Sequence, residues 1–161
     1  MFAKTTFQTQ FAYHWHTVRH LMDFAAKLPD AEYREDAGYG HGSIHSILFH
    51  ILRADEGWRR ALETGSRQEP LTPELYPDLA ALREGYAREQ AAWDSYLNGL
   101  SVAHIEGKIT LTSPRGEATY DLARILQHLI IHGMQHHSEI AALLTRKGHS
   151  PGNLDFLFFT G

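Results

Sequence analysis

Four long stretches of this sequence repeat apolar residues at helical spacings, and turn-forming residues separate them. In the first, Phe7 to Leu28, residues Phe11, Val18, Leu21, Phe24, Ala25 and Leu28 recur at spacings of three, four and seven, and Pro29-Asp30 stops the pattern. In the second, Ser43 is a good N-cap, and Ile44, Ile47, Leu48, Ile51, Leu52 and Trp58 form a stripe out to about Glu63. Thr64-Gly65-Ser66 ends it, and Pro70, Pro73 and Pro77 mark a loop. The third runs from about Pro77 to Leu100, with Leu79, Leu82, Tyr86, Trp93, Tyr96, Leu97 and Leu100 as its buried face. The fourth runs from about Leu122 to Lys147 with Asp121 as its expected cap, and Gly148 is its stop.

Between the third and fourth stretches the period changes. Lys108 to Thr112 alternates polar and apolar as a half-buried strand does, Ser113-Pro114-Arg115-Gly116 is a turn signal, and Glu117 to Tyr120 returns. The pattern predicts an all-α four-helix bundle with a small β-hairpin before the last helix. A length of 161 residues fits a single domain spanning 1–161. The tail from Pro151 to Gly161, apolar at Leu154, Phe156, Leu157, Phe158 and Phe159, is expected to dock on the bundle.

Charge and composition narrow the function classes. Fifteen Lys and Arg stand against nineteen Asp and Glu, a net charge of −4, so no basic surplus points to nucleic acid. No apolar run approaches the roughly 18–20 residues of a membrane span, and the first residues, with no basic stretch followed by an apolar one, are not expected to act as a secretory signal. A cytoplasmic protein is expected. The absence of cysteine rules out disulfides, thiolate metal sites and cysteine nucleophiles. Histidine is abundant instead, at twelve residues, so imidazole is the available ligand for a borderline metal.

Spacing narrows the twelve. His128, His132 and His136 lie four apart in the fourth stretch, so each sits about 40° round from the last on nearly one helix face. Two imidazoles four apart can chelate one ion, and Glu139 shares that face. The plainer alternative is a row of solvated or hydrogen-bonded side chains. His50 lies in the apolar run Ile47-Leu48-Phe49-His50-Ile51-Leu52, where an unpaired polar group costs about 1–3 kcal/mol. It is either a core histidine with a backbone or water partner, or, if the second and fourth helices face each other, a third ligand beside His132 and His136. Three imidazoles plus an open position is the pattern of catalytic zinc. His16 and His20 form a rival pair four apart, and His128 is expected as a donor behind the ligands. His14, His41, His45, His104 and His149 read as surface, and His137 is expected to face a neighbouring helix or solvent. Trp15, Trp58 and Trp93 read as core. Met22 and Met134 could line an apolar cavity in a bundle that binds no metal.

The joint order of short motifs resembles the DinB/YfiT-like family of metalloenzymes. Gly42-Ser43-Ile44-His45 followed by Leu48, His50, Ala54-Asp55 and Trp58 is similar to the family's second helix. The run from His128-Leu129 through His132-Gly133 to His136 is similar to its metal helix, and Gly148-His149-Ser150-Pro151-Gly152 with Asp155-Phe156 to its end. The family's metal helix usually continues His-Arg-Gly-Gln, where this chain has His136-His137-Ser138-Glu139.

The resemblance implies a DinB-type bundle with up-down-down-up helix order, usually a homodimer. It also implies a divalent ion, zinc or nickel, held by His50, His132 and His136. The expected function is a metal-dependent enzyme that activates water or a low-molecular-weight thiol, of transferase or hydrolase type, acting on a small-molecule substrate. Glu139 is the expected catalytic base, or else an anchor for a ligand. The alternative is a non-catalytic metal- or ligand-binding bundle.

Overall fold

The computed structural model describes residues 4–161. Four long helices carry the fold: α1 (Lys4–Ala25), α3 (Ile44–Thr64), α4 (Leu79–Gly99) and α6 (Leu122–Arg146). Two one-turn helices, α2 (Asp30–Tyr33) and α5 (Val102–Ile105), lie in the connections. The hairpin pairs β1 (Lys108–Ser113) with β2 (Gly116–Asp121) in antiparallel register, Lys108 opposite Asp121 and Ser113 opposite Gly116.

Local chemistry explains the helix ends. The Ser43 hydroxyl accepts the Ser46 backbone N–H at 3.1 Å and starts α3, and Asp78 accepts from Ala81 at 2.8 Å and starts α4. Gly65 takes a left-handed φ of 73° and closes α3 with its N–H on the Ala61 carbonyl. Asp121 departs from expectation, making no side-chain cap for α6. It is the last residue of β2, and its carboxylate reaches across to Lys108 at 2.7 Å instead.

Cross-helix pairings establish the directions. Tyr86 donates to the Leu48 carbonyl and Trp93 Nε1 donates to the Asp55 carbonyl, so α3 and α4 run parallel with a constant offset. Gln8 meets Asn98 while Arg83 meets Asp23, so α1 and α4 are antiparallel. Trp58 packs on His128 while His50 packs on His136, so α3 and α6 are antiparallel. The order is up-down-down-up. Trp15, Trp93, Phe11, Leu21, Leu48, Leu52, Leu126 and Leu144 fill the centre, with Phe11 and Trp93 rings 4.7 Å apart. Burial of such side chains contributes roughly 1.5–3 kcal/mol each.

The hairpin is tied to the end of α3. The Arg67 N–H donates to the Thr112 carbonyl, and the Thr112 N–H donates to the Gly65 carbonyl, both at 2.9 Å. The tail docks only in part. His20 donates to the Pro151 carbonyl at 2.7 Å, Tyr13 donates to the Leu154 carbonyl, and Phe156 and Phe159 meet the Tyr13 ring edge to face. Leu157 and Phe158 are 85% and 66% exposed, because the short 3-10 turn Phe156–Phe158 cannot turn all its side chains to one surface. Met22 is core, while Met134 is half-buried on α6. No helix among the described residues is long and apolar enough to cross a membrane.

Candidate metal centre

The antiparallel contact of α3 with α6 brings His50, His132 and His136 together. His50 Nε2 lies 3.0 Å from His132 Nε2, which lies 3.2 Å from His136 Nε2. Ring centroids of His50 and His136 are 4.7 Å apart. His136 is buried, and His50 and His132 are half-buried with one side toward solvent. Glu139, one turn beyond His136, holds its Oε2 2.7 Å from His136 Nδ1.

Proton counting makes this cluster unusual. A neutral imidazole has one N–H and one lone pair. With the His136 Nδ1–H donated to Glu139, His136 presents a bare lone pair at Nε2. If His132 carries its proton on Nε2, it donates along only one of two short contacts at full strength. If the proton sits on Nδ1, the Nε2 lone pairs of His132 and His136 face each other. His132 Nδ1 is buried without a hydrogen-bond partner among the described residues. One short N–N contact therefore lacks a proton of its own in any neutral arrangement.

Charging the rings offers no relief. Burial pushes the His50 pKa down to about 4, helped by the neighbouring His41, His136 and His132. Burial, then His136, lowers His132 to about 4 as well. Both rings are therefore neutral near pH 7, the form in which an imidazole can bind a metal. Zinc–nitrogen bonds of about 2.0–2.1 Å at tetrahedral angles hold ligand nitrogens about 3.3 Å apart. The two observed spacings fit that requirement with small adjustments, so the donor set suits a divalent cation.

Three other features surround the cluster. His41 is on a loop and was expected at the surface. It is exposed, but its ring stacks on His50 with centroids 3.6 Å apart, and its ligand nitrogen lies within 4.8 Å of those of His50 and His136. Gly38, Gly40 and Gly42 all take positive φ, which lets this loop fold back over the cluster.

His14 also contradicts the surface expectation. It is 2% exposed and donates from Nε2 to Asp55 Oδ2 at 3.0 Å, because it continues the Phe7, Phe11, Val18, Leu21 stripe of α1. The third feature is Gly133, which makes room for that ring. A Cβ there would lie 2.5 Å from His14 Nδ1.

The remaining histidines separate from the cluster. His137 is fully buried and stacks on His14 at 4.9 Å, facing a neighbouring helix as expected. His128 is exposed, 5.8 Å from the His132 ring, and no hydrogen bond among the described residues links it to the cluster. His16 and His20 stack on each other, with His20 engaged by Pro151. His45 is half-buried and accepts from the Tyr33 hydroxyl, and His149 is half-buried too, so neither is the open surface residue expected. His104 caps its own short helix with Ser101. Trp58 is not core but half-buried, with the Arg67 guanidinium 3.6 Å over its ring.

The fold and this cluster define a helical bundle with histidines gathered between two facing helices. The chain belongs to the DinB family, whose model matches residues 1–161. Its structure is similar to that of YfiT from Bacillus subtilis, described as a probable metal-dependent hydrolase with an unusual four-helix bundle topology. The likeness has a TM-score of 0.66 at 14% identity and covers 93% of this chain and 92% of that one. Comparison of the sequence with curated proteins gives no match.

Proposed function

We propose that this protein binds one divalent metal ion, zinc or nickel, through Nε2 of His50, His132 and His136, and is a metal-dependent hydrolase or thiol transferase. The observation that carries this reading is the convergence of three imidazole Nε2 atoms, His132 lying 3.0 Å from His50 and 3.2 Å from His136. YfiT, of similar fold, is described as a probable metal-dependent hydrolase, and the proposal extends that description to this chain.

A cation bound with one open position lowers the pKa of a water or low-molecular-weight thiol there, supplying a nucleophile near neutral pH. His50, His132 and His136 would hold that ion at the α3–α6 contact. Of the two roles expected for Glu139, the bond to His136 favours orientation: the carboxylate selects the Nδ1–H tautomer and aims the Nε2 lone pair into the cluster. The buried, hydrogen-bonded pair Asp55 and His14 lies near enough to His132 to act on its charge. We further propose a homodimer acting in the cytoplasm on a small-molecule substrate.

A second reading has its own observation. His41 lies over the cluster, and as a fourth ligand it would close the site in the manner of a structural, non-catalytic ion. Cobalt substitution separates the two. A visible cobalt spectrum that shifts on adding a small thiol supports the open site, and a spectrum unmoved by thiol supports the closed one.

A further inference from the structure

A cavity of about 240 Å³ opens beside the histidine cluster, and His50, Arg53, Trp58, Arg67 and Gln68 are among the residues that line it. Arg53 follows His50 by one helical turn of α3 and is exposed. Arg67 lies flat on the Trp58 ring at 3.6 Å. Its backbone is pinned by the hydrogen bond to Thr112, so the hairpin determines where this guanidinium stands.

The charges here are uncompensated. Arg34, Arg59, Arg60, Arg83 and Arg88 each pair with a carboxylate. Arg53 and Arg67 make no such pair among the described residues, and neither do Arg19, Arg115, Arg124 and Arg146, but Arg53 and Arg67 are the two that line this cavity, in a chain whose net charge is −4. Two unpaired guanidinium groups facing one cavity are poised for an anion. Stacking on Trp58 covers the face of Arg67 and leaves its N–H edge free for the planar, two-point contacts that carboxylate and phosphate oxygens accept. The cavity holds the volume of about eight waters at roughly 30 Å³ each, below the usual range for drug-sized ligands.

We propose that this cavity is an anion subsite that takes the carboxylate or phosphate group of a small substrate through Arg53 and Arg67 and directs the rest of the molecule toward His50. This rests on the metal-enzyme reading for its consequence, while anion binding itself does not need the ion. The subsite would select small anionic molecules over neutral ones of the same shape.

Titration calorimetry on the full chain, metal-free and zinc-loaded, tests this with succinate, inorganic phosphate and neutral succinamide as probes. The expected result is saturable binding of succinate or phosphate to the metal-free chain and none of succinamide. The anion that binds identifies the head group. Binding should weaken about tenfold in Arg53→Gln and in Arg67→Gln, fall further with added salt, and stay unchanged in Arg88→Gln on the far helix α4.

Binding unchanged in the Arg53→Gln/Arg67→Gln double variant would overturn the proposal, as would anion binding seen only with zinc present. So would the absence of saturable binding by either anion. Zinc stoichiometry measured alongside keeps the two readings apart, since an intact stoichiometry with no anion binding removes only the subsite. Anion binding without stoichiometric zinc removes only the metal reading.

Discussion

Glu139 Oε2 stands 2.7 Å from His136 Nδ1, one helical turn along α6. That bond determines which nitrogen of His136 keeps its proton and therefore which one can hold an ion. Partners of this kind typically contribute 10–100-fold in metal affinity. Glu139→Ala should weaken zinc binding by about that factor while leaving the helical circular-dichroism signal unchanged. A chelator-competition titration reads the affinity, and equal affinities in both proteins would remove the orienting role.

Gly133 is required by packing. A methyl group there would lie 2.5 Å from His14 Nδ1 and 2.8 Å from its Cε1, and His14 is held by the buried Asp55 carboxylate. Gly133→Ala should therefore destabilise the fold by about 1–3 kcal/mol despite the better helix propensity of alanine. Thermal or urea unfolding measures it, and a stabilised variant would show that His14 moves freely.

Arg59 donates to both oxygens of the buried Glu89 carboxylate, at 2.6 and 2.8 Å, linking α3 to α4. Burial raises the Glu89 pKa even with that partner present. Removing Arg59 strands the carboxylate, so Arg59→Ala should cost about 3 kcal/mol, with partial recovery in Arg59→Ala/Glu89→Gln. Unfolding midpoints of the two variants check the order.

The pH dependence of the metal-free chain has a definite sign. His50 and His132 titrate near 4 in the fold, against about 6.5 when unfolded. Between those values the unfolded chain binds more protons, so stability is full above about pH 6.5 and falls as the pH drops toward 4. Urea midpoints of metal-free protein at pH 7 and pH 5 should differ in that direction. His50→Gln and His132→Gln should each shrink the difference, and a wild-type profile flat across the window would contradict the pKa shifts.

Much of the fold was legible because long amphipathic helices repeat their apolar residues. The ends of α3, at Ser43 and Gly65, followed from capping chemistry. The one-turn helices α2 and α5 carry no repeat and could not be seen. In the site, spacing marked the row His128, His132 and His136 and the apolar surroundings marked His50, and the family resemblance singled out His50, His132 and His136. His41 was hidden because a glycine loop has no period and its direction is decided in three dimensions. His14 was missed although the signal was present: 7, 11, 14, 18 and 21 step by four and three along the buried face of α1. The approach of Arg67 to Trp58 depends on the tie between β1 and the segment after α3, a contact between distant residues that no local pattern records.

The measurement that bears most directly on the proposed metal centre is the metal content of tag-free protein and of its His132→Ala variant, by mass spectrometry after exhaustive dialysis. The expected result is one divalent ion per chain in the parent, with loss of that ion in the variant while helical content and cooperative unfolding persist. A parent that holds no stoichiometric ion and whose melting curve is unmoved by chelator, or a variant that retains the ion in full, would contradict a centre built on His50, His132 and His136.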